Sequence, residues 1–205
     1  MKLGIFGASG ATGRHLIEQA LAAGHDVTAV VRTAGTLTSE TPRLKIFVSG
    51  LDRPAELERV VKEQDAIISV LGARKGGPST VCADGARNIL KAMKATGVRR
   101  FIALSAYGAS ETKDASMFIK FVRTVIADKM RDKDTMESLI RRSGLDWTLV
   151  RPPALTNGKR TGDYRFGADL KIGPLGRISR ADVADFILRE AIATASIGKT
   201  FAVSV

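Results

Sequence analysis

The chain has 205 residues, 44% hydrophobic and 26% charged, the composition expected of one soluble globular domain with a sizeable core. One cysteine, Cys82, rules out an intrachain disulfide and a CxxC redox or metal pair, and two histidines, His15 and His25, rule out a histidine-rich metal centre. The formal net charge of +11 suits a solvated basic surface or a positive field for a polyanionic ligand, and without a basic run interleaved with aromatics no specific nucleic-acid partner is expected.

Met1-Lys2 leads straight into an apolar strand with no signal-peptide h-region, and no apolar run nears the roughly 18 residues that span a bilayer. No membrane partner is expected, and a cytoplasmic location is the default. Leu3–Phe6 reads as the first strand. Leu16, Ile17, Ala20 and Leu21 then mark one face of a helix that Gly24 ends. Val27–Val31 and Leu44–Val48 are further strands. Asp52 is a candidate N-cap for a helix with Pro54 in its first turn. Ala66–Leu71 is an apolar strand, Ser79–Ala95 a helix and Phe101–Leu104 a strand. Met117–Ile126 and Asp128–Arg142 read as helices, Gly144 as a stop, and Trp147–Val150 as a strand. Asp182–Ala193 and Thr200–Val203 are the last helix and strand.

Short apolar strands alternating with helices predict a doubly wound α/β domain with a parallel sheet covered on both faces, a Rossmann-type fold occupying residues 1–205. Residues 152–179 are too long for an ordinary connection and are expected to lie on the substrate side or to carry a few small strands. Seven Lys or Arg against two Asp make residues 151–180 strongly basic.

Gly7-Ala8-Ser9-Gly10-Ala11-Thr12-Gly13 joins the first strand to the first helix. Gly7 permits the tight turn, Gly10 leaves room for a pyrophosphate, and Gly13 lets the helix pack close. The helix N-terminus offers N–H groups and the positive end of its dipole to phosphates, with Ser9 and Thr12 adding hydroxyls. A dinucleotide is the expected ligand. The second strand runs into Arg32 instead of an acidic residue; a guanidinium cannot accept hydrogen bonds from ribose hydroxyls but pairs with a 2′-phosphate, so NADP(H) is expected over NAD(H). Arg14 is a second candidate for phosphate charge.

The glycine spacing resembles the extended and atypical branch of the short-chain dehydrogenase/reductase superfamily, and within it the NAD(P)H-binding family that includes biliverdin reductase B (flavin reductase). The resemblance continues through Asp65-Ala66-Ile67-Ile68 into Leu71-Gly72-Ala73-Arg74, and through Gly85-Ala86-Arg87-Asn88-Ile89 and Ala92-Met93-Lys94-Ala95. Ser105-Ala106, Ser143-Gly144-Leu145, Pro152-Pro153, Thr161-Gly162-Asp163-Tyr164 and Arg177-Ile178-Ser179 complete it. It implies that Gly50 and Leu51 lie by the adenine, without the Asp that relatives often carry there. Leu71, Gly72, Ala73 and Arg74 would border ribose and pyrophosphate, and Pro153, Ala154 and Leu155 the nicotinamide. Relatives often have His where Ala154 stands.

Many superfamily members use Tyr with Lys four residues later for proton transfer. Here Tyr107 and Tyr164 are followed at that spacing by Glu111 and Ala168, and Lys133, at the implied lysine position, is preceded by Lys129. Alcohol–ketone chemistry therefore lacks its usual pair. The reading is an NADPH-dependent reductase passing hydride to a flavin, quinone or bilin, with Ser105 and Tyr107 as hydrogen-bonding groups near the nicotinamide. The alternative is a non-catalytic NADP(H)-binding regulator or assembly factor. A monomer or weak homo-oligomer without a metal is expected.

Overall fold

The computed structural model describes residues 1–73 and 80–205. Strands β1 (Lys2–Phe6), β2 (Asp26–Val31), β3 (Leu44–Val48), β4 (Ala66–Ser69), β5 (Arg100–Leu104), β6 (Asp146–Arg151), β8 (Arg165–Gly167) and β10 (Lys199–Ser204) form one sheet in the order β3-β2-β1-β4-β5-β6-β10-β8. The remaining strands, β7 (Ala154–Thr156) and β9 (Arg177–Ser179), pair in parallel. All neighbours in the large sheet are parallel, as expected, except β8, a short edge strand that runs antiparallel to β10. The long 152–179 segment accounts for this, since it supplies β7, β8 and β9.

Side-chain alternation sorts the central strands between two cores. Leu3 and Ile5 of β1 pack beneath α1 (Ala11–Ala22) and α6 (Arg180–Ile192), with Leu16, Ile17, Val183 and Ile187. Phe6 and Ile67 face the opposite layer, α2 (Pro54–Val61), α3 (Val81–Thr96) and α5 (Ala127–Arg141), with Leu57, Ile89, Met93, Met136 and Ile140. Because both faces are covered, these strands are apolar apart from Lys2 at the start of β1 and Ser69 at the end of β4. A short helix, α4 (Met117–Val125), lies between β5 and α5.

Two helix starts differ from expectation. Arg53, not Asp52, is the N-cap of α2, because Pro54 takes the first helical position and leaves Asp52 one residue too early. The expected start of α3 at Ser79 lies outside the described residues; Thr80 precedes the helix without a side-chain cap. Asp132 of α5 does the capping instead, accepting from the N–H groups of Cys82 at 3.0 Å and Ala83 at 2.8 Å. Gly24, with φ +82°, follows α1 as the left-handed cap position requires.

Asp182 ties the 152–179 segment to α6. Its carboxylate accepts from the N–H groups of Thr161 at 2.7 Å and Gly162 at 2.9 Å, and from the Ser179 hydroxyl at 2.7 Å. Burial alone would raise its pKa, but the bonds from Gly162, Ser179 and Thr161 outweigh that and hold it below the usual carboxylate value. A depressed folded-state pKa stabilises above the unfolded value and loses that contribution as pH falls. Asp182→Ala should therefore speed amide exchange at Thr161 and Gly162. It should also cost on the order of 1–3 kcal/mol at neutral pH, with the difference from the unmutated chain narrowing below about pH 4. Exchange NMR and urea unfolding at both pH values check this.

Candidate active site

The sheet order reverses between β1 and β4, where open α/β sheets carry their ligands at the carboxyl ends of the strands. A groove of about 610 Å³ lies along that edge, within the usual range for a small-molecule site. Phe6 and Gly7 open it after β1, Val31 and Arg32 line it after β2, and Leu71, Gly72 and Ala73 line it after β4. Leu104 and Ser105 border it after β5, and Leu155 comes from β7.

The glycine turn forms the centre of this groove. Gly7 has φ +81°, and a Cβ there would lie 2.8 Å from the Val70 carbonyl oxygen. A Cβ on Gly13 would stand 2.4 Å from the Gly7 oxygen, so only glycine lets α1 begin this close to the strand end. The first α1 residue to donate into the backbone is Arg14, to Gly10 at 3.0 Å. The N–H groups of Ala11, Thr12 and Gly13 have no backbone acceptor among the described residues, the first turn contains no acidic residue, and Ser9, Gly10, Ala11 and Thr12 all line the groove.

The charged side chains lining the groove are Arg32, Lys133 and Arg180, and none of the described lining residues is acidic. Arg32 is exposed and makes no hydrogen bond or ion pair among the described residues. Arg14 reaches from α1 to the Thr36 carbonyl at 2.8 Å, tying the helix to the loop that follows Arg32. Lys133 donates to two strand-end carbonyls, Leu71 at 3.1 Å and Leu104 at 2.6 Å. Arg180 donates through Nη1 to Asn157 Oδ1 at 2.6 Å and to the Leu155 carbonyl at 3.3 Å.

Ser105 is 4% exposed, and its Oγ is a buried polar atom without a hydrogen-bond partner among the described residues. Its backbone N–H is committed to the Val150 carbonyl at 2.7 Å, while the hydroxyl is left for whatever enters the groove.

Most of the residues singled out in the sequence meet here, with exceptions. Gly13 supports the turn from behind, and Gly50, Pro153 and Ala154 are absent from the groove lining, whereas their neighbours Leu51 and Leu155 are in it. Arg74 lies outside the described residues. Tyr107 is not among the groove-lining residues; it borders a separate cavity of about 520 Å³ with Glu111, Arg141 and Arg151. Its hydroxyl accepts from the Ile172 N–H at 3.2 Å, and its ring packs with Ile119 and Ile172. Arg180 was not foreseen; the one signal was a basic residue opening the last helix. Nor was Gly85, where a Cβ would lie 2.5 Å from Leu71 Cδ1 and 3.3 Å from Leu51 Cδ1, displacing two groove residues.

The NAD(P)H-binding family profile matches residues 7–193, the whole span from the glycine turn to the end of α6. The chain belongs to the NAD(P)H-binding family. The UPF0659 protein YMR090W of Saccharomyces cerevisiae is 32% identical over 213 residues, covering 98% of this chain and 91% of that protein. Among solved structures the fold matches ChuY, an anaerobillin reductase of Escherichia coli O157:H7, with a TM-score of 0.86 at 23% identity over 99% of this chain and 96% of that one. It also matches a wide-type short-chain dehydrogenase/reductase of Veillonella parvula in complex with NADP, with a TM-score of 0.82 at 19% identity over 100% and 94% of the two chains. The groove fits such a dinucleotide on its own geometry: free helix N–H groups at the turn, no carboxylate among the described lining residues, and an orphaned hydroxyl past the end of β5.

An unpaired buried hydroxyl costs folding free energy until a ligand satisfies it. Ser105→Ala in the ligand-free protein should accordingly leave stability unchanged or raise it by up to about 1 kcal/mol in urea unfolding. A clear loss would mean that the hydroxyl already has a partner.

Proposed function

We propose that this chain is an NADPH-dependent reductase that transfers hydride to a planar aromatic acceptor of the flavin, quinone or bilin class. The observation that carries the reading is Ser105: a buried hydroxyl without a partner among the described residues, past the end of β5 in the lining of the groove that the glycine turn centres. Bound in the groove, NADPH would supply the hydride.

The chain's own residues have separable tasks in this reading. Ala11, Thr12 and Gly13 N–H groups, with Ser9 and Thr12 hydroxyls, hold the pyrophosphate. Arg32 pairs with the 2′-phosphate, a choice supported by the lack of any acidic residue among the described lining of the groove. Lys133 already bridges the Leu71 and Leu104 carbonyls and holds the wall on which the nicotinamide half would lie. Leu51, Leu71 and Leu155 supply apolar surface and exclude water, and Ser105 Oγ donates a hydrogen bond that orients the nicotinamide or the acceptor. Residues 152–179 form the acceptor side of the site. No tyrosine stands four residues before Lys133, so acceptors that need little proton assistance suit the site better than ketones.

NADPH should bind at least about tenfold more tightly than NADH, since one charge-assisted phosphate pair is worth about 1.5–3 kcal/mol. Arg32→Glu should shrink or invert that ratio in fluorescence titrations, and equal affinities in the unmutated chain would remove the assignment. NADPH oxidation should be seen with FMN, riboflavin or a small quinone, and simple secondary alcohols should be oxidised poorly with NADP. Ser105→Ala should lower turnover by about tenfold to a hundredfold with little change in NADPH affinity. Tight NADPH binding with no turnover of any of these acceptors would instead favour a cofactor-sensing regulator.

A further inference from the structure

Helix α4 turns its apolar residues outward. Met117 is 79% exposed, Phe121 66%, Val125 67% and Phe118 42%, and their spacing sets them on one side of the helix. The other side anchors α4 to the fold. Ile119 is its buried residue and shares a small cluster with Tyr107 and Ile172. Arg123 donates to Asp134 at 2.7 Å and to the Gly108 carbonyl at 2.6 Å. Ser116 caps the helix, accepting from the Ile119 N–H at 3.1 Å. The outward face is thus presented by a well-fastened helix, and contiguous apolar exposure of this kind marks an interaction surface.

The charge around it has one sign where it is not internally paired. Met117–Val125 contains Lys120 and Arg123 and no acidic residue. Asp114 pairs with Lys120 at 3.4 Å and Asp128 with Arg131, while Lys113 and Lys129, at either end, are exposed and without ion pairs among the described residues. Through Ile172 the same cluster adjoins the turn that carries Leu175, 92% exposed, between Lys171 and Arg177. Unpaired Lys113 and Lys129 flank the first apolar projection, and Lys171 and Arg177, with Asp169 as the one exposed acid beside them, flank the second, so cations predominate at both.

We propose that this face docks on the surface of a lipid bilayer containing anionic lipids, with α4 lying in the interface plane and Leu175 inserted beside it. A helix with bulky apolar residues on one side and Lys or Arg around it combines the two attractions that interfacial binding uses. A second copy of the chain would bring the same cations against themselves, within a total of +11 on each protomer. Nine residues span about 13 Å as a helix, which fits lying on a bilayer and not crossing it. No described helix is long and apolar enough to cross.

The test is sedimentation of the full chain with vesicles of phosphatidylcholine alone and of phosphatidylcholine mixed with phosphatidylglycerol. Binding should be strong to the mixed vesicles, weak to the neutral ones, and reduced by high salt. The double variant Met117→Ser, Phe121→Ser should lose about tenfold or more of the binding, and Lys120→Glu should weaken it, while NADPH affinity and urea unfolding stay unchanged. The proposal is overturned if the mixed vesicles fail to sediment the chain, or if the double variant binds them as well as the unmutated chain. It is equally overturned if sedimentation velocity shows a dimer that the double variant dissolves. None of these readouts depends on turnover, so the reductase assignment stands or falls separately.

Discussion

Two consecutive side chains on α5 hold one wall of the groove in place. Asp132, 4% exposed, carries a charge into the interior that is answered by two N–H groups at the start of α3 and by that helix's dipole. Lys133, the next residue, crosses from the Leu71 carbonyl to the Leu104 carbonyl and so fixes the ends of two adjacent strands relative to each other. Leu71 then rests in the space that Gly85 leaves by having no side chain. The position of the groove's wall, the start of α3 and the setting of Ser105 all follow from this one clasp. It is built from long-range contacts, and α3 would otherwise begin without a side-chain cap.

The opposite side of the groove is electrostatically simple. Arg32 and Arg180 face a space whose described lining contains no carboxylate, and the α1 N-terminus adds its dipole in the same direction. A cavity of this kind attracts polyphosphates before any contact forms, and low-dielectric walls strengthen the field inside it. The +11 net charge of the chain reinforces that field at long range, and salt screens the long-range part first.

The fold was legible wherever the cause was local. Apolar runs marked β1, β2, β4 and β5, because a strand covered on both faces has no polar positions to spare, and the glycine turn announced its own backbone. Groove residues were legible where they follow strand ends, as with Arg32, Leu71 and Ser105. Causes acting across the chain were not. The Asp132 cap lies some fifty residues from the helix start it serves. Tyr107 stands two residues past Ser105, yet its hydroxyl is claimed by the Ile172 N–H, a partner 65 positions away that periodicity cannot reveal. Arg180 reaches the groove at the start of α6, bonded to the Leu155 carbonyl and Asn157, partners 25 and 23 positions away. The antiparallel β8 escaped notice for a plainer reason: three residues are too short for an alternation pattern to register.

Cys82 gives the clasp a built-in clock. Its thiol is buried, its Sγ donates to the Leu71 carbonyl at 3.3 Å, and burial pushes its pKa up, so a thiol reagent meets neither an accessible sulfur nor a thiolate. Reaction requires the first turn of α3 to part from the Leu71 strand end, which is a local opening and not global unfolding. The alkylation rate of this one sulfur therefore measures how often the groove wall comes apart, and any molecule that bridges the wall lengthens the interval.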